Sequence, residues 1–221
     1  MQQFRLANQS LVLLAQRDLQ EFWRSLNTQG NPLLVKAALL EFFPELLTVY
    51  GDTAALLGAD WYDELRDVAP SAAPFRAVMA TPPPTDQAQA AARWALGPLF
   101  ASDPDPVQVL ANLDGATQRL VLQSGRETVW SAARRDPVRT GVARVPTGPK
   151  TCKWCTMLAS RGAVYGDELA AGGMGNRYHD DCDCVPTVIR SESDFPEGHS
   201  VEEFERLFAL DSGVGRDIPT E

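Results

Sequence analysis

Every cysteine of the chain falls between positions 152 and 184, in the order Cys152-x2-Cys155, then His179-x2-Cys182-x-Cys184. This is the feature that most constrains the fold. A C-x2-C pair and an H-x2-C pair separated by a 23-residue excursion offer four ligands to one tetrahedral Zn²⁺. There are five candidate ligands for four places. Cys152, Cys155 and His179 are the favoured three. Cys182 and Cys184 compete for the fourth, because a one-residue gap makes joint coordination of one ion tight. Four sulfurs with His179 in a supporting shell is the other arrangement. Two metal-free states stay open as well: reduced thiols packed as small apolar groups, or disulfides between the two pairs. Lys153 and Arg177 are the nearby cations expected to offset thiolate charge.

The rest of the chain reads as mainly helical. Phe4, Leu11, Leu14, Leu19, Phe22, Trp23 and Leu26 recur at helical spacing. Gly30-Asn31-Pro32 ends that helix, and Pro32 suits the first turn of the next. A second apolar stretch runs from Leu33 to Tyr50, with a kink or new start at Pro44 and a break or Asp52-capped start at Gly51. Ala54 to Leu65 then reads as a further helix. Proline-rich spacers at 69–74 and 81–85 precede an Ala-rich helix over 86–96. Asp105 caps a long helix over 107–133 with a broad face from Val109 to Val129. Trp23, Trp61, Trp94 and Trp130 are assigned to cores or helix contacts. The segment 141–146 reads as a short strand.

The expected organisation is therefore a helical region over 1–135, a small α+β Cys/His zinc-knuckle module over 136–190, and an acidic, partly disordered tail over 191–221. The tail has one helix candidate near Val201–Leu210, and His199 is expected to be solvent-exposed there. With 221 residues and 44% hydrophobic composition the chain has ample material for a core. It shows neither a secretion signal nor an apolar run long enough to span a membrane. A reducing cytoplasm, where clustered cysteines bind metal more often than they pair, is the expected place of synthesis.

A net charge of −9 argues against general nucleic-acid binding. The charge is uneven: −5 over 1–133 (9 basic, 14 acidic), +5 over 134–177 (8 basic, 3 acidic) and −9 over 178–221 (3 basic, 12 acidic). The basic block is either a solvated face or a contact for phosphate, the acidic tail or an acidic partner. Its residues Arg134, Arg135, Arg139, Arg144, Lys150 and Lys153 are the candidates for touching DNA.

No catalytic set stands out. G-x-S-x-G and Walker A patterns are absent, and the glycine-rich stretch at 172–175 lacks the strand-to-helix context of a phosphate cradle. Zinc deaminases place H-x-E before P-C-x-x-C. Here both histidines follow the first cysteine pair, and the His179 segment reads H-x-D. Three or four sulfur ligands suit a closed, structural shell. The expectation is a protein without enzymatic activity; the competing reading is a zinc-dependent hydrolase, deaminase-like or toxin-like enzyme.

Arg144-Val145-Pro146, Cys152-x2-Cys155, the segment Leu158 to Tyr165 and His179-x2-Cys182-x-Cys184 resemble the phage Mu F-like (MuF-like) minor head protein family, particularly its versions in tailed phages of actinobacteria. The motif covers 144–186, and the helical layout before it is similar too. Family members carry His-Pro where this chain has His179-Asp180. The resemblance implies a minor virion component in few copies, at the portal or the inner capsid, acting in head assembly, DNA packaging or ejection. Portal and major capsid proteins are the implied partners.

Overall fold

A computed structural model describes residues 2–68, 73–138, 140–148, 151–165, 178–182 and 184–212. It is mainly helical with one small sheet. Helix α1 spans Gln2–Ser25, α2 Pro32–Asp67, α3 Thr85–Ala95 and α4 Pro106–Arg135. They are followed by strand β1 (Gly141–Val145), α5 (Lys153–Ala159), β2 (Val185–Ile189) and α6 (Val201–Ser212). None of these helices is long and apolar enough to cross a membrane.

The starts of the two longest helices follow from their first residues. Asn31 Oδ1 accepts from the Leu33 amide at 2.9 Å, and Asp105 Oδ1 accepts from the Gln108 amide at 2.9 Å. Each cap is followed by proline, which is suited to a first turn because its missing N–H is not needed there. The expected division of the second helix does not occur: α2 runs unbroken through both Pro44 and Gly51. Pro44 cannot donate to the Leu40 carbonyl. Gln89, from α3, supplies the missing donor, its Nε2 bonding Leu40 O at 3.1 Å.

Gly51 is explained by packing. Helices α2 and α4 cross at a seam of small residues: Gly51, Ala54 and Gly58 against Ser124 and Gly125. A Cβ at Gly58 would sit 2.5 Å from Gly125 O, and one at Gly125 would sit 2.6 Å from Ala54 O. Backbones that close leave no room for a side chain. The glycines therefore serve the crossing and outweigh their cost of about 1 kcal/mol in helix propensity. Around this seam Leu19, Leu39, Phe43, Leu47, Leu113 and Leu120 are fully buried. Leu14 and Trp94 depart from the expected pattern. They are 43% and 60% exposed, because α1 and α3 lie at the rim and only one face of each is covered.

The second part of the chain is mounted on α4. β1 and β2 pair antiparallel from Gly141↔Ile189 to Val145↔Val185. Val185 and Val188 of β2 pack against Val129 and Ala132 of α4, together with Phe4, Trp61 and Tyr62. Phe4 and Trp61 stack with centroids 5.2 Å apart. A buried polar tie closes the joint just after α4. Arg66 Nε donates to Asp136 Oδ2 at 2.7 Å, and Tyr62 Oη donates to the same oxygen at 3.0 Å. The Val138 amide donates to Oδ1 at 2.8 Å. The helix expected near 201–210 is present as α6 and packs on α5. His199 differs from expectation: it is half-buried, stacked on Phe195 at 5.0 Å and tilted against Phe204 at 5.0 Å. Residues 213–221, part of the expected tail, lie outside the described residues.

Candidate metal centre

The C-x2-C pair straddles the start of α5. Cys152 occupies the cap, its Sγ accepting from the Cys155 amide at 3.3 Å while the Thr156 amide bonds Cys152 O at 2.8 Å. This turn points Sγ of both cysteines into one space. The second pair is bent by a different device. Asp181 takes a left-handed conformation (φ 61°), and the Cys182 amide returns to His179 O at 3.2 Å. Aspartate tolerates that region better than most residues. The reversal brings His179 and Cys182 round to the α5 cysteines, and Cys184 follows at the entry to β2.

All five sequence candidates, Cys152, Cys155, His179, Cys182 and Cys184, come together in two overlapping triads. Cys152, Cys155 and His179 have ligand atoms within 4.8 Å of one another, and so do Cys155, Cys182 and Cys184. Cys155 is common to both. Individual separations are 2.9 Å for Cys152 Sγ to His179 Nε2, 3.9 Å for Cys155 Sγ to His179 Nε2, and 3.7 Å for Cys155 Sγ to Cys182 Sγ. Cys155, Cys182 and Cys184 are buried; Cys152 and His179 are half-buried.

The tautomer of His179 follows from its neighbour. Nδ1 lies 2.6 Å from the Asp180 carbonyl oxygen. A carbonyl only accepts, so Nδ1 carries the proton and donates it there. Nε2 is left with its lone pair directed at Cys152 and Cys155. A ring held by Nδ1–H to a carbonyl, with Nε2 free, is the usual posture of a metal-binding histidine.

The thiol electrostatics are correspondingly perturbed. Burial raises the Cys152 pKa, but the hydrogen bond from the Cys155 amide and the adjacent His179 ring outweigh it, and the net shift is down. For His179 burial acts downward, and the Asp180 carbonyl and Cys152 bring the net shift up. Among the three buried sulfurs, hydrogen bonds from Cys155 and Cys184 hold Cys182 low, and Cys155 is correspondingly high. A hydrogen bond with Cys155 pulls Cys184 down, but Cys182 and burial push it up to about 12.

Lys153 and Arg177 were the cations expected near these sulfurs. Arg177 lies outside the described residues, and Lys153 is exposed on α5. Among the described residues Arg144 on β1, 0% exposed, faces the sulfurs, with Nη2 3.8 Å from Cys182 Sγ and 4.0 Å from Cys155 Sγ. Burial opposes its charge, yet Tyr178 and the three thiols raise its pKa overall. Arg126 of α4, 4% exposed, donates to the carbonyls of Cys184 (3.0 Å) and Cys182 (2.5 Å). The Tyr178 ring receives both guanidiniums, at 4.0 Å from Arg126 and 3.9 Å from Arg144. Arg144 is therefore removed from the candidate DNA-facing set: it lies in the interior, where the sulfurs balance its charge. Arg134 and Arg135 are exposed, while Arg139 and Lys150 lie outside the described residues.

The family described as VG15 protein matches residues 1–210. The chain belongs to that family. Similar proteins include the Gene 15 protein of Mycobacterium phage D29, 34% identical over 135 residues, covering 56% of this chain and 45% of that protein. The Gene 15 protein of Mycobacterium phage L5 is 33% identical over 135 residues, covering 55% and 42%. The VG15 chain thus spans less than half the length of the curated relatives it matches. No solved structure matches it significantly. The phage origin anticipated from the cysteine module stands; the relatives' names do not distinguish a MuF-like head protein from other phage proteins.

Proposed function

We propose that this VG15 chain is a minor virion structural protein of the MuF-like type, acting in head assembly at the portal or inner capsid, with a zinc-fastened module and no catalytic role. The observation that carries this reading is the pair of overlapping ligand triads that share Cys155, one of them holding the correctly posed His179 imidazole, in a chain of a phage family. The donor set suits Zn²⁺. At Zn–S of about 2.3 Å, two thiolates of a tetrahedral shell lie about 3.8 Å apart, and Cys155 and Cys182 are 3.7 Å apart. Cys152, Cys155, Cys182 and His179 Nε2 would hold the ion, which would supply cross-linking of the β1–α5 and β2 segments.

Three thiolates, one neutral imidazole and Zn²⁺ leave one net negative charge, which the interior guanidinium of Arg144 offsets. Four protein ligands fill a tetrahedral shell and leave no position for a reacting water. This favours a structural role over the hydrolase, deaminase-like or toxin-like alternative. Among the described members of the candidate DNA-facing set, Arg134, Arg135 and Lys153 lie at the surface.

Mass spectrometry of gradient-purified phage particles tests the virion reading. The protein is expected in full particles at a few copies relative to the major capsid protein. Its confinement to the lysate, absent from particles, would contradict the proposal.

A further inference from the structure

A cavity of about 510 Å³ lies between α1, α4 and the start of β2. Its apolar walls are Phe4 and Val12 of α1, Leu122 and Val129 of α4, and Val185 of β2. The size falls within the range of about 300–1,000 Å³ of ordinary small-molecule cavities. Arg126 of α4, 4% exposed, belongs to the same lining. Two further charged residues border the cavity: Arg5, bonded to Gln9, and the exposed Asp181.

The Arg126 guanidinium is only partly used. It is planar, with its donors in a fixed fork. Nε and Nη2 share one edge, and the carbonyls of Cys184 and Cys182 take that edge. The Tyr178 ring lies against the cation at 4.0 Å. Nη1 is left over, buried and without a hydrogen-bond partner among the described residues. No other buried polar side-chain atom of the described lining is in that state. The two oxygens that Arg126 does meet are neutral, and no described carboxylate forms an ion pair with it. A buried cation with an unmatched donor and no counter-ion is unfavourable, and an anion relieves both deficits.

One unmatched cationic donor beside apolar walls defines a ligand with a small anionic head and a tail free of polar groups. A carboxylate on a hydrocarbon chain meets both conditions. Its oxygen accepts a charge-assisted hydrogen bond from Nη1, and its chain takes the apolar walls out of water. A phosphate asks for more donors than one nitrogen offers, and Asp181 at the rim opposes its larger charge. A peptide backbone would bring N–H and C=O groups to walls that have nothing to pair with them. We infer that this cavity binds a monocarboxylic acid with an apolar chain, its carboxylate held by Arg126 Nη1. Such a site goes beyond the structural role proposed above and does not depend on zinc.

Decanoate is a suitable probe, titrated into the full chain at neutral pH and followed by calorimetry, with hexanoate, decanamide, acetate and inorganic phosphate alongside. Saturable one-to-one binding of decanoate is expected, each methylene beyond hexanoate tightening it about fourfold. Decanamide keeps the shape without the charge and should bind about tenfold more weakly. Arg126→Gln should weaken decanoate by about tenfold and leave decanamide unchanged. Arg126 also braces the Cys182 and Cys184 carbonyls, so Asp181→Asn serves if that variant does not fold. Asparagine accepts the left-handed φ of 61° at this position. It removes a like charge from the rim and should tighten decanoate about twofold, with decanamide unchanged. No saturable binding of decanoate, equal binding of decanamide, or an unchanged decanoate affinity in Asp181→Asn would overturn the proposal. Acetate or phosphate binding as tightly as decanoate would overturn it by showing a bare anion site. Tighter binding of N-acetyl-leucyl-phenylalanine would overturn it in favour of a protein C-terminus.

Discussion

Replacing Asp136 with Ala should be among the most damaging single changes in this protein. The Asp136 side chain is 1% exposed and holds Arg66, 5% exposed, at 2.7 Å. It also accepts from Tyr62 Oη and the Val138 amide. Removing it leaves a guanidinium with its ion-pair partner gone and a hydroxyl and an amide without their acceptor, at the joint between α4 and β1. Breaking a buried pair in this way costs about 3–5 kcal/mol. For a chain of this size a loss of 1 kcal/mol lowers the melting temperature by about 2–4 °C, so the expected fall is about 6–20 °C. Arg66→Met combined with Asp136→Ala should recover part of the loss, because the uncompensated charge is then gone.

The same group predicts a pH response. Burial raises the Asp136 pKa, but the Val138 amide, Arg66 and Tyr62 outweigh it, and the net shift is down. A carboxylate lowered in the folded state contributes stability above its unfolded pKa of about 3.9, and that contribution is lost as pH falls through the folded value. Urea melts from pH 7 to pH 3 should therefore show a steeper acid decline in the wild type than in Asp136→Asn. A change of under about 0.5 kcal/mol for Asp136→Ala at pH 7, with identical acid limbs, would refute the reasoning.

Three further outcomes are expected. Gly58→Val places a branched side chain where even a Cβ would meet Gly125 O at 2.5 Å; it should destabilise by at least the 1–3 kcal/mol typical of overpacking, read by thermal denaturation. Gln89→Leu leaves the Leu40 carbonyl without its donor beside Pro44 and should cost about 1 kcal/mol by the same assay. Burial lowers the His199 pKa, so the folded form resists protonation and stability falls as pH drops below about 6.5. His199→Phe should remove that fall, seen as flat melting temperatures between pH 7 and pH 5.5.

Local signals in this sequence were legible, and long-range ones were not. Asn31-Pro32 and Asp105-Pro106 announce α2 and α4 because a cap is made within three residues. The C-x2-C and H-x2-C spacings reveal the cluster because each pair is set by one turn of chain. Pro44 misleads because the group that rescues Leu40 comes from Gln89 on another helix. Gly51 misleads because its reason is the crossing with α4, which no window around it contains. Arg144 reads as a basic-block cation and Arg126 carries no signal of its own, yet each is held in the interior by sulfurs, carbonyls and a tyrosine ring from segments far along the chain. His199 is half-buried only because Phe195 and Phe204 fold back upon it.

Native mass spectrometry of the protein expressed with zinc in the medium tests the clasp most directly. One Zn²⁺ per chain is expected in the wild type and in Cys184→Ser, and none in Cys155→Ser, whose sulfur belongs to both triads. A metal-free wild type with four free thiols and an undiminished melting temperature after chelator treatment would contradict the account.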